Sequence, residues 1–238
     1  MFRIGILGAA DIAFNKFIPA LMKVEGAECA GVASNSPDKL KRFVEKYNVH
    51  VYSSYNEVIG DDSVDCVYIP LPPAFHYEWA KKALLAGKHV FLEKPSTTLA
   101  DDTKELVGIA GEKGLVVQEN YMFQFHAQLK EIESFIASGE LGKLRLVRTS
   151  FGFPRRAEGD FRYVKELGGG TMMDNGGYTI KLIDMLLGES MRLVSAQLDY
   201  DEKTGIDIFG TAEFVNDDGV IAQAAFGMDC QYQCSLEL

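Results

Sequence analysis

The segment HVFLEKP, residues 89–95, ends a run of strand-forming side chains with a charged pair. Lys94 follows Glu93 there, and Pro95 fixes the direction of the chain after it. An ammonium group beside a buried strand is costly unless it has a charged or polar partner. We therefore interpret Lys94 as a catalytic candidate that donates a hydrogen bond to a substrate oxygen and stabilises the negative charge developing there. The alternative is an ordinary exposed strand end.

A second candidate set lies in LGGGTMMDNGGYTIKLIDMLLG, residues 167–188. Gly176 and Gly177 lie inside a predicted helix, where each glycine costs about 1 kcal/mol relative to alanine. We therefore expect a close approach by backbone or ligand at this point. Asp174 and Tyr178 are four residues apart and share one helix face. A carboxylate and a phenol facing a lysine across a cleft would form a catalytic proton-transfer set, and the alternative is a surface aspartate with a packed tyrosine.

A phosphate-binding turn is predicted near the N-terminus, between a strand at 2–8 and a helix at 11–23. A dinucleotide fingerprint places its pyrophosphate at such a turn, against the free N–H groups and the positive dipole of the helix N-terminus. The fingerprint has glycine at its second position, where this chain has alanine, and a plain tight turn is the alternative. The residues expected to bind the cofactor here are Gly8, Ala10, Asp11, Ile12 and Ala13.

The end of the second predicted strand, residues 28–34, bears on the choice of cofactor. Sites that prefer NAD usually place an acidic residue there to hold the ribose hydroxyls, whereas this chain has Ser34 and Asn35. Lys39 and Arg42 follow one helical turn later. Small polar groups at a helix N-terminus with cations nearby suit a 2′-phosphate, so we favour NADP(H) over NAD(H). The alternative is a solvated helix face that carries basic residues by chance.

A binding crevice is predicted at the carboxyl ends of the strands, where open α/β sheets bind ligands. The stretch YIPLPPAFHYEWA, residues 68–80, places a proline-rich turn there between a strand and a helix. His76 begins that helix, and a cap or packing role is the alternative for its ring. The functional interpretation of His76 is contact with cofactor or substrate.

Basic residues are concentrated between 143 and 165 in an otherwise acidic chain. This segment leads into the glycine loop and hence toward the predicted cleft. Arginine forks suit phosphate and carboxylate groups, so an anionic substrate such as a nucleotide-linked sugar would fit, and solvated loop charges are the alternative. Substrate contacts are assigned to Arg155, Arg156, Arg162 and Tyr163.

The elements that must position these groups change character near residue 122. Before it, apolar strands alternate with amphipathic helices, which predicts a doubly wound parallel sheet covered on both faces. After it, the predicted strands are 144–153, 192–200, 209–215 and 220–228, with a hairpin between the last two. We predict an NAD(P)-binding Rossmann domain over 1–122. Over 123–238 we predict an α+β domain with a mostly antiparallel sheet.

The composition argues against several functions. The 238 residues carry a formal charge of −10, which is unsuited to gripping nucleic acid or an anionic membrane. No long apolar span and no basic leader is present in the sequence, so we expect a cytoplasmic protein. The four histidines and four cysteines show no metal-ligand spacing, so we expect no metal site.

In this order, the motifs resemble those of the glucose–fructose oxidoreductase / inositol dehydrogenase / MocA (Gfo/Idh/MocA) family. The matching stretches are GILGAADIA, VYIPLPPAFHYEWAKKALLAGKHVFLEKP, ENYMFQFHAQ, GELGKLRLVRTSFGF and LGGGTMMDNGGYTI. The combination of EKP at a strand end with GGGxxxDxGGY downstream is highly specific. Within the family, the sequence looks most like the branch of nucleotide-sugar 3-ketoreductases and sugar oxidoreductases.

The resemblance implies a Rossmann domain followed by a substrate-binding or oligomerisation α/β domain on an open sheet. It implies that Lys94 is the catalytic lysine, that the Lys94-Pro95 bond is a candidate cis peptide, that Asp174 is the active-site aspartate, and that Tyr178 donates or accepts the proton. The residues that it places on the nicotinamide side of the cofactor are Leu71, Pro72, His76, Glu93, Lys94 and Asn120. The implied activity is NAD(P)-dependent hydride transfer between nicotinamide and a sugar or keto-sugar, nucleotide-linked or free. The alternatives are dihydrodiol- or pentose-dehydrogenase-like oxidation of a neutral diol, and a cofactor-binding protein without catalysis.

One departure from the family concerns length. The sequence ends in QYQCSLEL, which alternates polar and apolar residues as a half-buried strand does. Family members continue with more strands after this point. We therefore expect a second sheet that is incomplete relative to the family, and homo-oligomer formation through that sheet depends on its completeness.

Overall fold

The computed structural model describes residues 1–140, 142–157, 159–188 and 190–238. The chain divides into two compact units, Met1–Asn120 and Tyr121–Leu238. Within the described residues, every helix is too short or too polar to cross a bilayer.

The first unit is built on a parallel sheet. Its strands are β1 (Phe2–Leu7), β2 (Ala27–Ala33), β3 (Cys66–Ile69), β4 (His89–Leu92) and β5 (Val117–Glu119). They are ordered β2-β1-β3-β4-β5, and Val51 adds an isolated parallel bridge to Val32 in β2. The chain leaves β1 toward β2 and later crosses back to β3 on the other side. The carboxyl ends of β1 and β3 therefore form the switch point at which open α/β sheets bind ligands.

Helices cover both faces of this sheet. They are α1 (Ile18–Leu21), α2 (Pro37–Tyr47), α3 (Tyr55–Gly60), α4 (His76–Leu85) and α5 (Ala100–Lys113). Successive side chains of a strand point to opposite faces: Leu7, Val67 and Ile69 pack with residues of α3, α4 and α5. Ile6 and Tyr68 belong to a second cluster with residues of α2. The predicted doubly wound sheet is confirmed.

The predicted helix at 11–23 is divided in the structure. A π-helical turn occupies Ala13–Phe17 immediately before α1, and the N–H of Ile18 donates to the carbonyl of Ala13. Pro19 explains the division, because proline lacks an N–H and its ring crowds the preceding helical turn. Such wide turns occur often at functional sites, and this one follows the predicted phosphate-binding turn.

The second unit is a mixed, mostly antiparallel sheet with two helices, α6 (Ala127–Ser138) and α7 (Gly177–Leu187). Its strands are β6 (Leu146–Phe153), β7 (Arg192–Tyr200), β8 (Asp207–Val215), β9 (Ile221–Met228) and β10 (Gln233–Glu237). They are ordered β10-β6-β9-β8-β7, and only β6 and β9 pair in parallel among these strands. Ile183 of α7 packs on the sheet with Val147, Ala222 and Phe226. The predicted open sheet and the β8–β9 hairpin are confirmed.

Candidate active site

The turn after β1 requires glycine at its first position. Gly8 has a φ of +117°, and a Cβ at this residue would lie 2.8 Å from Cδ2 of Leu71 in the turn after β3. The N–H of Gly8 donates to the carbonyl of Ala33 at the end of β2, over 2.8 Å. The turn thus presents backbone without a side chain at the switch point of the sheet. This arrangement fits the close approach of a pyrophosphate.

Arg42 reaches from α2 back to this turn. One guanidinium nitrogen lies 2.6 Å from the carboxylate of Asp11, and another donates to the carbonyl of Ala9 over 3.2 Å. The guanidinium also lies 4.6 Å from the centre of the Phe14 ring. Lys39, on the same helix, is exposed. Of Lys39 and Arg42, the two cations considered for the cofactor phosphate, Arg42 therefore lies at the predicted phosphate turn.

Small polar residues close the end of β2. Ser34 follows the strand directly, and its hydroxyl accepts the N–H of Ser36 over 3.0 Å. Asn35 lies between them, so this corner carries neither aspartate nor glutamate. The corner therefore suits a cofactor with a phosphate on its ribose better than one with free hydroxyls, as predicted from the sequence.

The residue before Lys94 is anchored to two neighbouring strands. Oε1 of Glu93 accepts the hydroxyl of Tyr68 over 2.6 Å and the side-chain amide of Asn120 over 2.7 Å. Burial and the adjacent Glu93 carboxylate raise the pKa of Tyr68, so the phenol remains a donor. Glu93 and Asn120, both predicted on the nicotinamide side, thus belong to one bonded group at the carboxyl ends of β3, β4 and β5.

The residues after Lys94 are anchored as well. The Lys94-Pro95 peptide bond is cis, as the resemblance implied. The N–H of Ser96 donates to Oε1 of Glu119 in β5 over 2.6 Å. The backbone that carries the lysine is therefore held on both sides by side chains from other strands, which is the preorganisation that a catalytic group needs.

His76 lies inside the first unit, with none of its surface exposed. Its Nδ1 is 2.8 Å from the carbonyl oxygen of Pro95, and its Nε2 is 2.7 Å from that of Leu71. Burial lowers the pKa of His76, while the two carbonyls oppose this shift. The ring joins the turn after β3 to the segment after Lys94. This position favours a role in holding the site together over the direct cofactor contact predicted from the sequence.

Tyr178, in the second unit, lies among aromatic side chains. Its ring packs edge-to-face against Tyr121 and Phe151, with centroid distances of 5.1 and 5.3 Å. It also borders a cavity of ≈ 720 Å³ between α6, α7, β6 and β10. Aromatic and apolar side chains dominate this cavity, among them Phe123, Phe125, Leu129, Leu182 and Tyr232. The phenol thus lies beside a space large enough for a ligand.

Close packing explains the two glycines before Tyr178. A Cβ at Gly177 would overlap the hydroxyl of Tyr121, and one at Gly176 would lie 3.2 Å from the Phe226 ring. The sequence predicted a close approach by backbone or ligand at these positions. The neighbours in the second unit are instead two aromatic side chains, one before α6 and one in β9.

Asp174 is buried, with 9% of its side chain exposed, and it pairs with Arg162. Nε of Arg162 donates to Oδ2 of Asp174 over 2.7 Å, and Nη1 donates to Oδ1 of Asp160 over 3.1 Å. Desolvation opposes the charge of Arg162, but the two carboxylates raise its pKa overall. The guanidinium that the sequence assigned to the substrate is therefore already bonded to carboxylates of its own chain.

The other predicted substrate contacts form a separate cluster. Arg155 pairs with Asp229 over 2.5 Å, and the Tyr163 hydroxyl donates to the same carboxylate over 3.0 Å. The backbone N–H of Arg156 donates to that hydroxyl over 3.0 Å, and its guanidinium lies 4.6 Å from the centre of the Phe153 ring. Within the described residues, Arg156 makes no ion pair. It is therefore the arginine of this loop best suited to a substrate anion.

Two polar residues that the sequence analysis overlooked fix the start of α7. The buried side-chain amide of Asn175 donates to the carbonyls of Phe151 and Gly227, each over 2.8 Å, and so joins β6 to β9. The carboxylate of Asp207 accepts the N–H of Met172 over 2.7 Å, and burial raises the pKa of Asp207. These partners lie 24 to 52 residues apart in sequence, so spacing offers no signal for them.

Comparison with known proteins gives two family models that together match nearly the whole chain. The model "Oxidoreductase family, NAD-binding Rossmann fold" matches residues 2–121, and the model "GFO/IDH/MocA C-terminal domain" matches residues 129–238.

Individual relatives agree with both models. A dTDP-3,4-didehydro-2,6-dideoxy-alpha-D-glucose 3-reductase from Streptomyces violaceoruber is 39% identical over 99% of this chain and 69% of its own length. The corresponding enzyme from Actinomadura kijaniata is 37% identical over 99% of this chain and 71% of its own length. The crystal structure of KijD10, a 3-ketoreductase from Actinomadura kijaniata in complex with NADP and TDP-benzene, has a TM-score of 0.96 at 36% identity. It covers 99% of this chain and 72% of that one.

Proposed function

The chain belongs to the GFO/IDH/MocA oxidoreductase family, and from this premise we propose that it reduces the keto group of a nucleotide-linked sugar with NADPH. The observation that carries the proposal is the Lys94 segment, which is bonded on both sides at the carboxyl edge of a Rossmann sheet. Support comes also from the relatives, which are reductases of a dTDP-linked sugar, and from KijD10, which binds NADP.

The first unit would hold the cofactor. The turn has no side chain at Gly8, which leaves room for the pyrophosphate. The N–H groups of Ala10, Asp11 and Ile12 would face this pyrophosphate. Ser34, Asn35, Lys39 and Arg42 would surround the 2′-phosphate that distinguishes NADPH from NADH. When bound, the cofactor supplies the hydride that reduces the keto carbon.

Three side chains would handle the charge and the proton at the keto oxygen. The ammonium of Lys94 donates a hydrogen bond to this oxygen and stabilises the charge that develops on it. Tyr178 donates the proton that turns the oxygen into a hydroxyl. Asp174 positions the substrate. These roles follow the positions that the family motifs assign.

The anionic part of the substrate would meet the loop after β6. Arg156 is the first candidate, and Arg155 with Tyr163 lies beside it in the cluster around Asp229. A diphosphate suits arginine because its oxygens accept paired N–H donors. Homo-oligomer formation, implied by the resemblance, stays a prediction that light scattering of the purified chain can check.

The test is the reduction of dTDP-3,4-didehydro-2,6-dideoxy-α-D-glucose by NADPH deuterated at nicotinamide C4. We expect NADPH to be consumed in proportion to substrate and deuterium to appear on the former keto carbon of the product by mass spectrometry. Binding of NADPH without turnover across a panel of nucleotide-linked keto-sugars would overturn the proposal. Turnover with uncharged diols alone would favour the diol dehydrogenase alternative.

A further inference from the structure

We propose that Arg162 is a positioning residue: its guanidinium holds the Asp174 carboxylate in place for the reaction and does not bind the anionic part of the substrate. The inference rests on the proposed function, because it assigns a part in that reaction to a residue outside the reacting set. It reverses the role that the basic composition of the loop predicted for Arg162.

The side-chain contacts of Arg162 leave little freedom for a substrate. Asp174 has 9% of its side chain exposed, and a buried carboxylate is costly without a charged partner. Nε of Arg162 donates to it over 2.7 Å, and Nη1 lies 3.1 and 3.3 Å from the two oxygens of Asp160. If the guanidinium turned toward a phosphate, the ion pair with Asp174 would be lost.

The backbone of Arg162 is fixed at both of its polar groups. Its N–H donates to Oδ1 of Asp160 over 3.0 Å, and its carbonyl accepts the N–H of Gly170 over 3.0 Å. A Cβ at Gly169 would lie 2.5 Å from that carbonyl oxygen, so the loop can close over Arg162 only with glycine there. The glycine motif thus packs against the arginine backbone.

The same loop also ties Arg162 to Asp174 through the main chain. The carbonyl of Gly170, whose N–H binds Arg162, accepts the N–H of Asp174 over 3.0 Å. The two residues are therefore joined by an ion pair and by a relay of two backbone hydrogen bonds. By contrast, Arg155 in the same loop has 57% of its side chain exposed. Arg162 has 24% of its side chain exposed, so it is less accessible to a ligand than Arg155 and has the fixed geometry of a supporting residue.

The experiment compares Arg162→Gln and Arg162→Lys with the parent in steady-state kinetics with the dTDP-linked keto-sugar and in calorimetric titration with dTDP in the presence of NADP⁺. We expect kcat to fall about tenfold to hundredfold in Arg162→Gln, because Asp174 is misplaced. KM and the Kd for dTDP should change less than about threefold. Arg162→Lys should recover part of kcat, since it keeps the charge but not the fork.

Two comparisons separate positioning from general damage. In an Asp174→Asn background, Arg162→Gln should lower kcat little further, because it acts through Asp174. Arg148→Gln is the matched control, since it breaks an exposed pair with Glu237 in the same unit and should leave kcat, KM and the Kd for dTDP unchanged.

The outcomes against the inference are distinct from failure of the proposed function. A tenfold weaker Kd for dTDP with an unchanged kcat would assign Arg162 to the substrate, and independent losses in the double variant would reject action through Asp174. If Arg162→Gln does not fold, the same criteria apply to Arg162→Lys. A parent enzyme that neither binds dTDP nor turns over the keto-sugar overturns the proposed function, and this inference with it.

Discussion

Lys88 and Lys94 lie at opposite ends of β4 and have different surroundings. Lys88 precedes the strand and is buried, and its ammonium donates to the carbonyls of Asp61 and Val64 over 2.8 and 2.7 Å. Lys94 follows the strand, at the edge of the sheet where ligands bind. Lys88 therefore stabilises the loop that contains Asp61 and Val64, whereas Lys94 lies where a cation can act on a substrate.

This difference predicts the behaviour of a matched pair of variants. Lys94→Met should bind NADPH within about threefold of the parent but lose turnover by about two or more orders of magnitude, because the charge on the keto oxygen is no longer stabilised. Fluorescence titration of NADPH and steady-state kinetics measure the two effects. Lys88→Met should lower the melting temperature and leave kcat of the folded enzyme unchanged. Reduction at the parent rate by Lys94→Met would refute the assignment of the catalytic lysine.

At the residue scale, the sequence points to candidate reacting groups more readily than to the residues that hold them in place. Lys94 stands out because a charge ends an apolar strand, which is visible without coordinates. The partners that fix its backbone, His76 and Glu119, lie 19 and 23 residues from the atoms they bind, and they meet only once the sheet has formed. Arg162 shows the opposite problem, because its charge was visible and its two carboxylate partners were not recognised.

At the scale of elements, the entry to α7 combines a π-helical turn at Met172–Gly176 with two glycines and an asparagine buried between strands. The hydrogen bonds of Asn175 and Asp207 fix the start of the helix on the sheet. Gly177 then allows the Tyr121 ring to pack against the helix next to Tyr178. The start of α7 thus positions the Tyr178 phenol. We therefore expect even a small substitution at the start of this helix to affect the stability of the protein.

A substitution at Gly177, the first residue of α7, tests this expectation. Gly177→Ala should destabilise the protein by about 1–3 kcal/mol, because the added methyl group overlaps the Tyr121 hydroxyl. Gly108→Ala is the control, since Gly108 is exposed inside α5 with no atom within 4 Å of a Cβ. It should stabilise by about 0.5–1 kcal/mol. Chemical denaturation measures both, and equal shifts of the same sign would show that packing against Tyr121 has no effect.

Local signals account for which elements were predicted from the sequence. In the first unit, apolar strands alternate with amphipathic helices. In the second unit, the hairpin of β8 and β9 has a turn sequence between its strands. The short helix α3 was missed although it has a capping signal: the Ser54 hydroxyl accepts the N–H of Glu57 over 3.1 Å, and Glu57 accepts the N–H of Ser53. Its six residues are too few for a clear hydrophobic period.

At the scale of the molecule, the order of strands follows from the sequence in the first unit only. Short right-handed crossovers through helices limit a parallel sheet to few orders. In the second unit, β6 pairs in parallel with β9, and their partners Leu146 and Ile221 are separated by two other strands in sequence. β10 then pairs antiparallel with the other edge of β6. No local motif in the sequence signals such long-range pairing.

Cofactor preference should appear in the stability of the whole molecule, because a ligand that binds only the folded state raises the free energy of unfolding. NADPH at about 100 times its Kd should add about 2.7 kcal/mol, which is roughly 5–10 °C in melting temperature for a chain of this size. NADH at the same concentration should give a clearly smaller shift, since Ser34, Asn35 and Arg42 suit a phosphate and neither residue directly after β2 is a carboxylate. Arg42→Gln should reduce the difference between the melting-temperature shifts produced by NADPH and by NADH. Lys41→Gln, which breaks an exposed pair with Asp38 on the same helix, should leave it unchanged. An equal or larger shift with NADH in scanning fluorimetry would contradict the preference for NADPH and the part given to Arg42.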